Sequence, residues 1–151
     1  MNATAVALSK SSGHTILAFD YGEKYVGVAV GDTETRLASP LGMFAASRSA
    51  QRLAEIDTLV NEWHPDRILV GLPVAMDGAE HVMTQRARRF ARQLEARFRL
   101  PVEFADERLS SAAAESTLRE TGRGGRRHKH EAHGLAAQII LQGYLDESSR
   151  R

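Results

Sequence analysis

The 151-residue chain contains no cysteine, which excludes disulfides, thiolate metal sites and a cysteine nucleophile. Aromatic residues make up only 6% of it, so a surface built to stack successive nucleobases is not evident. Neither sign of charge is in excess. Twenty Lys and Arg face 19 Asp and Glu, a net charge of +1, so any cationic surface has to be local. Apolar runs are a few residues long, far short of the roughly 20 that cross a bilayer. The opening Met1 to Leu8 is mildly apolar but lacks a basic segment and a long apolar stretch, so it makes a poor signal peptide and the expected location is the cytoplasm.

What remains is the composition of an ordinary globular protein, 42% hydrophobic and 26% charged. Its length suits one domain able to bury about two-thirds of the surface of the unfolded chain. Residues 1–14 show no period and read as a flexible tail, residues 15–147 as the domain, and residues 148–151 as a second short tail.

Ile16-Leu17-Ala18-Phe19 and Tyr25 to Val30 read as two strands, and the short Gly22-containing connection favours an antiparallel hairpin. A third strand within Leu37 to Phe44 carries Pro40, which suits a sheet edge. Leu53, Ile56, Val60 and Trp63 recur at helical spacing, with Ser47 or Ser49 as candidate N-cap and Pro65 as the stop. Arg67 to Leu72 reads as a buried strand followed by a loop through Gly78. Met83, Ala87, Phe90, Leu94 and Phe98 line one side of a helix that stops before Pro101. Val102 to Ala105 is a fifth strand. Ser110 or Ser111 can cap a further helix through Glu120, residues 123–130 read as a basic flexible loop, and a last helix places Ala132, Leu135, Ala136, Ile139, Ile140 and Gly143 on one face, ending near Asp146. The pattern is a hairpin-built sheet extended by strands that alternate with helices. Such sheets are covered on both faces and gather their chemistry at strand ends.

Two acidic positions fall at strand ends. Asp20 closes the first strand, and Asp106-Glu107 directly follows the fifth. Alone, each has a plain alternative: a turn-forming Asp in the first case, a charged loop in the second. Together they can converge on a hard cation, since Mg²⁺ and Mn²⁺ take oxygen ligands. Two such ions about 3.5–4 Å apart serve in-line displacement at phosphorus. His130 and His133 lie three apart, not the four of a helical zinc-protease motif. Local positive charge comes from Arg86, Arg88, Arg89, Arg92, Arg97 and Arg99, expected to form a solvated face, and from Arg123, Arg126, Arg127 and Lys129, expected to grip nucleic-acid phosphates.

Four segments in order carry a resemblance: Asp20 to Lys24 with Val26 to Asp32; Val70-Gly71-Leu72-Pro73 with Met76-Asp77-Gly78; Asp106-Glu107-Arg108-Leu109-Ser110; and Ala136 to Leu141 with Tyr144-Leu145. They resemble the successive motifs of the YqgF family, also called RuvX. The resemblance implies an α/β, RNase H-like fold with a mixed five-stranded sheet flanked by helices, related to Holliday junction resolvases. It also implies a nuclease that matures the 5′ end of precursor 16S rRNA in ribosome biogenesis. Asp20 would be the first-strand metal ligand, Glu107, with Asp106, the second acid, and Mg²⁺ or Mn²⁺ the cofactor, as two ions. The family's third acid opens the last helix, where this chain has His133; a neutral imidazole can bind Mn²⁺ and move protons. A second departure is Ala75, where the family often has Asn. The catalytic set expected is therefore Asp20, Glu107 and His133, with Lys24, Arg108, Arg123, Arg126, Arg127 and Lys129 on nucleic acid.

The expected partner is structured RNA such as pre-rRNA, or branched DNA, with ribosomes or assembly particles as possible company, no membrane, and a monomer or homodimer. Two further readings stand beside this one. A non-catalytic RNA-binding assembly factor fits a site weakened at His133. A sugar-kinase or actin-like ATP-binding domain shares the Asp-x-Gly hairpin, but needs two such domains around a cleft.

Overall fold

The computed structural model describes residues 14–46, 48–72, 79–106 and 126–149. The two apolar runs at the start of the domain form β1 (Thr15–Tyr21) and β2 (Tyr25–Asp32), an antiparallel hairpin, and β3 (Leu37–Ala45) adds antiparallel to β2. After α1 (Ser49–Trp63) the chain enters β4 (Arg67–Leu72), which pairs parallel with β1. After α2 (Ala79–Phe98) it enters β5 (Val102–Asp106), parallel to β4, and α3 (Arg126–Ser149) follows. The sheet order is β3-β2-β1-β4-β5, so β1 lies at the centre with an antiparallel neighbour on one side and a parallel one on the other.

Side chains alternate between faces along a strand, and here the alternation divides the core in two. Leu17, Phe19 and Tyr21 of β1 join Val26, Val28, Val30, Ile68 and Val70 under α1 and α2, which contribute Ile56, Ala87, Phe90 and Leu94. Ile16 and Ala18 face the other way and join Ala29 and Leu69 under α3, which contributes Ala137, Ile140, Leu141 and Leu145. A strand buried on both faces has to be apolar throughout, which is why Ile16 to Phe19 reads as an unbroken run.

Pro40 does sit on the edge strand. It pairs with Ala29 while Gly42 pairs with Val28, so Leu41 is an extra residue, a bulge whose neighbour Gly42 takes a positive φ of 110°. The edge is closed by α3: the Gln142 side chain accepts from the Ala38 N–H (3.0 Å), and Gln138 donates to the Ala38 carbonyl (3.0 Å).

Two helix starts differ from their sequence reading. Arg48 occupies the N-cap of α1 without a side-chain hydrogen bond, and Ser49 is already helical, so the expected serine cap is absent; Ser47 lies outside the described residues. The basic segment 123–130 is helical from Arg126 onward. Arg126, Arg127, Lys129 and Glu131 have good helix propensity, and the segment prolongs a helix already anchored by its apolar face. At the other end α3 runs on to Ser149, past Asp146. The expected helix from Ser110 or Ser111 to Glu120 and the loop after β4, residues 73–78, lie outside the described residues.

Candidate active site

Asp20 continues the row Ile16-Ala18 on the α3 face of β1, at the end of the strand that leads into the hairpin turn. The turn is held by a Gly22 N–H to Tyr25 carbonyl bond of 3.0 Å, and a Cβ on Gly22 would come within 2.6 Å of that carbonyl oxygen. The Ala46 N–H donates to the Lys24 carbonyl (2.9 Å), tying the end of β3 to the same turn. Lys24 itself is exposed beside this end of the sheet.

Asp20 pairs with Gly27 on one side and Gly71 on the other, and Gly71 in turn with Ala105. Its neighbours in register therefore have no side chain. Only 8% of Asp20 is exposed, yet among the described residues its carboxylate makes no hydrogen bond or ion pair. A largely buried carboxylate is stabilised by a counter-charge, and a cation is a partner that suits it.

His133 lies directly above this row. Its carbonyl oxygen is 2.1 Å from where a Cβ on Gly27 would stand, so α3 touches the sheet backbone at Asp20's own cross-strand partner. The imidazole packs against Tyr25, ring centroids 5.5 Å apart and tilted 50°. The structure thus brings Asp20, Gly27, Tyr25 and His133 to one end of one face. His133 is the eighth residue of α3 rather than its opening residue, because the helix begins earlier than its apolar pattern suggests.

The remaining expected residues are placed differently. Asp106 ends β5 and pairs with Leu72, one step beyond Asp20's row. Arg126, Arg127 and Lys129 belong to the first turn of α3. Glu107, Arg108, Arg123 and Ala75 lie outside the described residues. Among the described residues no group of three or more His, Asp or Glu is placed to hold a metal ion.

At the far end of the same face the Tyr144 hydroxyl donates to Glu103 and accepts from Arg67 Nη1 (2.5 Å). Burial, then the Glu103 bond, pushes the Tyr144 hydroxyl above its usual range. The two ends are unlike: among the described residues one is charge-compensated, and Asp20 at the other has no ion-pair partner.

Two contributors to this architecture escape a reading of the sequence. Gly27 stands there only as part of a strand, although glycine in a strand interior often marks a close backbone approach. Arg52, which lies outside the apolar row of its helix, is 8% exposed. Its place four residues before the core residue Ile56 was the available signal.

The sequence pattern of the RuvX family, whose description is Holliday junction resolvase, matches residues 14–147. A protein of Methylobacillus flagellatus named "Putative pre-16S rRNA nuclease" is 48% identical over 136 residues, covering 90% of this chain and 93% of its own length. One of the same name from Dechloromonas aromatica is 48% identical over 132 residues, covering 87% and 90%. Among solved structures, Thermus thermophilus RuvC in complex with a Holliday junction substrate superposes with a TM-score of 0.56 at 18% identity, over 89% of this chain and 96% of that one. That likeness establishes the RNase H-like architecture. Among the described residues no helix is long and apolar enough to cross a membrane.

Proposed function

This chain belongs to the RuvX family, and from that premise we propose that it is a divalent-metal-dependent nuclease, anchored at Asp20, that processes the 5′ end of pre-16S rRNA. The single observation that carries the active-site assignment is the Asp20 carboxylate: nine-tenths buried, at a strand end, flanked in register by two glycines and without a partner among the described residues.

That donor fits a hard cation. A carboxylate held rigidly and left uncompensated is an oxygen ligand of the kind Mg²⁺ and Mn²⁺ take. We assign Glu107 as the second ligand, with Asp106 beside it; the two acids directly follow Ala105 in the sequence, and Ala105 belongs to the apolar cluster on Asp20's face. When bound, two ions would supply positive charge to the attacking and leaving oxygens of the phosphodiester. The protein's own contribution is placement. The hairpin turn fixes Asp20, and the contact of α3 with Gly27 sets His133 close by, where its imidazole can supply a nitrogen ligand or carry the proton exchanged with water. Hydrolysis would leave a 5′ phosphate and a 3′ hydroxyl.

Substrate contacts follow from charge. Arg126, Arg127 and Lys129 lie in the first turn of α3, where cations oppose the positive end of the helix dipole unless an anion lies near. With Lys24, Arg108 and Arg123 they are the proposed grip on phosphates.

Cleavage of precursor rRNA and of synthetic four-way junctions in Mg²⁺ or Mn²⁺ tests this reading. Wild type is expected to cut precursor rRNA, Asp20→Asn to lose about 100-fold or more, and His133→Ala to shift the metal preference or the pH profile. Undiminished cutting by Asp20→Asn would remove the central assignment. Preference for the junction would move the substrate to branched DNA. Binding without cutting by wild type would identify an RNA-binding assembly factor.

A further inference from the structure

On the face of the sheet opposite Asp20 lies a cavity of about 300 Å³, bounded by the hairpin turn, the start of α1 and the middle of α2. Tyr21 and Phe90 form its aromatic wall; Arg52, Arg86, Arg89 and Gln93 give it polar groups, and Glu23 stands at the turn. Arg86, Arg89 and Gln93 follow one another at spacings of three and four, so they share one side of α2.

Arg52 is the informative residue. The residue is nine-tenths buried; its guanidinium lies 5.8 Å from the Tyr21 ring centroid and 5.4 Å from that of Phe90, and donates from Nη1 to the Ala46 carbonyl (2.7 Å). From Nη2 it reaches the Ser49 hydroxyl and the Gln93 amide oxygen, both at 3.4 Å. All three acceptors are neutral, and Nε has no partner among the described residues. A buried cation is normally paired with a carboxylate, yet none of Arg52, Arg86 and Arg89 forms an ion pair among the described residues, Glu23 included. The first turn of α1 adds to the deficit, with no side-chain cap and no acidic residue. Three arginines and an uncapped helix start around one polar cavity call for a counter-anion.

We propose that this cavity binds a phosphate group of a nucleotide. Guanidinium forks match phosphate oxygens bidentately, and the Tyr21 and Phe90 rings hold the Arg52 fork in place. Tyr21 and Asp20 are consecutive in β1 and point to opposite faces, so the cavity backs directly onto the proposed cleavage site across the end of the strand. This rests on the nuclease reading in one respect: the phosphate belongs to the substrate strand, either as a terminal monoester or as an internal diester beyond the scissile one.

The test uses the full chain and the exposed arginines, in the double variant Arg86→Gln/Arg89→Gln, with the two single variants as substitutes if the double variant does not fold. A nucleoside 5′-monophosphate and inorganic phosphate are titrated by NMR. Wild type is expected to shift amides in 49–52 and 86–93, and the double variant to bind about tenfold more weakly. For RNA, the slope of log affinity against log salt is expected to flatten by about 1 in the variant, as it does when the protein neutralises one phosphate fewer. Loss of a preference for 5′-phosphorylated over 5′-hydroxyl RNA would identify a terminal phosphate, and equal weakening of both an internal one. Equal phosphate binding and equal salt slopes in wild type and variant would overturn the proposal. The two readings fail separately. If wild type cuts nothing while the arginine-dependent binding persists, the nuclease assignment falls and the cavity stands; if wild type cuts and the variant keeps its KM and phosphate affinity, the cavity falls alone.

Discussion

Gly27 shows how much a single position can decide. Opposite Asp20 in register, it is the place where the α3 backbone rests on the sheet, and the His133 carbonyl oxygen fills the space of its missing Cβ at 2.1 Å. Backbone cannot swing aside as a flexible side chain can, so Gly27→Ala has to lift α3 or bend β2. Overpacking of this kind costs about 1–3 kcal/mol, and the clash with backbone places it at the upper end. Urea unfolding should show that destabilisation, together with a drop in cleavage larger than stability alone accounts for, because the lift separates His133 from Asp20. A Gly27→Ala protein as stable and as active as wild type would mean that α3 does not bear on the site. Asp20 was legible as a strand-end acid. Its two glycine neighbours were not, since they follow from which residues lie across the sheet.

At the scale of elements, α1 and α2 cover one face of the sheet side by side and are joined at their outer surface. Arg97 donates from Nε and Nη2 to the two oxygens of Asp57, at 2.8 and 2.6 Å. That hydrogen bond from Arg97 holds the Asp57 carboxyl below its usual value of 3.8. A carboxylate depressed in the folded state stabilises at pH above its unfolded value, and the contribution disappears as pH falls through the folded one. Both groups are exposed, so the effect is small and sensitive to salt. A double-mutant cycle with Asp57→Asn and Arg97→Gln is expected to show coupling near pH 7 at low salt that fades as the pH falls through the lowered Asp57 value. Coupling that survives acid would assign the pair to packing rather than charge.

The helices themselves were readable from apolar spacing, but their starts were not. Ser49 does not cap α1, and α3 begins at Arg126 inside a segment whose charge suggested a loop. Periodicity reports which residues face a core. It is silent about turns that extend beyond the core, where propensity and the rest of the fold decide.

For the whole molecule, the central strand is the point on which both cores depend. β1 sends Leu17, Phe19 and Tyr21 to one side and Ile16 and Ala18 to the other, and α3 is the helix packed on the second side among the described residues. Removing packing under α3 should therefore loosen the sheet as a unit. Leu141, fully buried in that cluster, is expected to cost about 2–5 kcal/mol on Leu141→Ala, with far-ultraviolet and near-ultraviolet circular dichroism reporting one coincident transition. Separated transitions would show that α3 detaches independently of the sheet.

The sequence by itself determined the order of the described elements, the edge position of Pro40, the apolar faces of those helices and the strand-end location of Asp20. All of these follow from local period and from residue types with fixed backbone habits. Only the tertiary structure decided that His133 rests over Gly27, that Gln138 and Gln142 bind the edge of β3, and that Arg52 is buried without a counter-charge among the described residues. The partners in the first two are about a hundred residues apart in the chain, and Arg52 meets Gln93 some forty residues on. No local pattern encodes such meetings; they arise when a sheet with fixed register and helices with fixed faces can close in only one way.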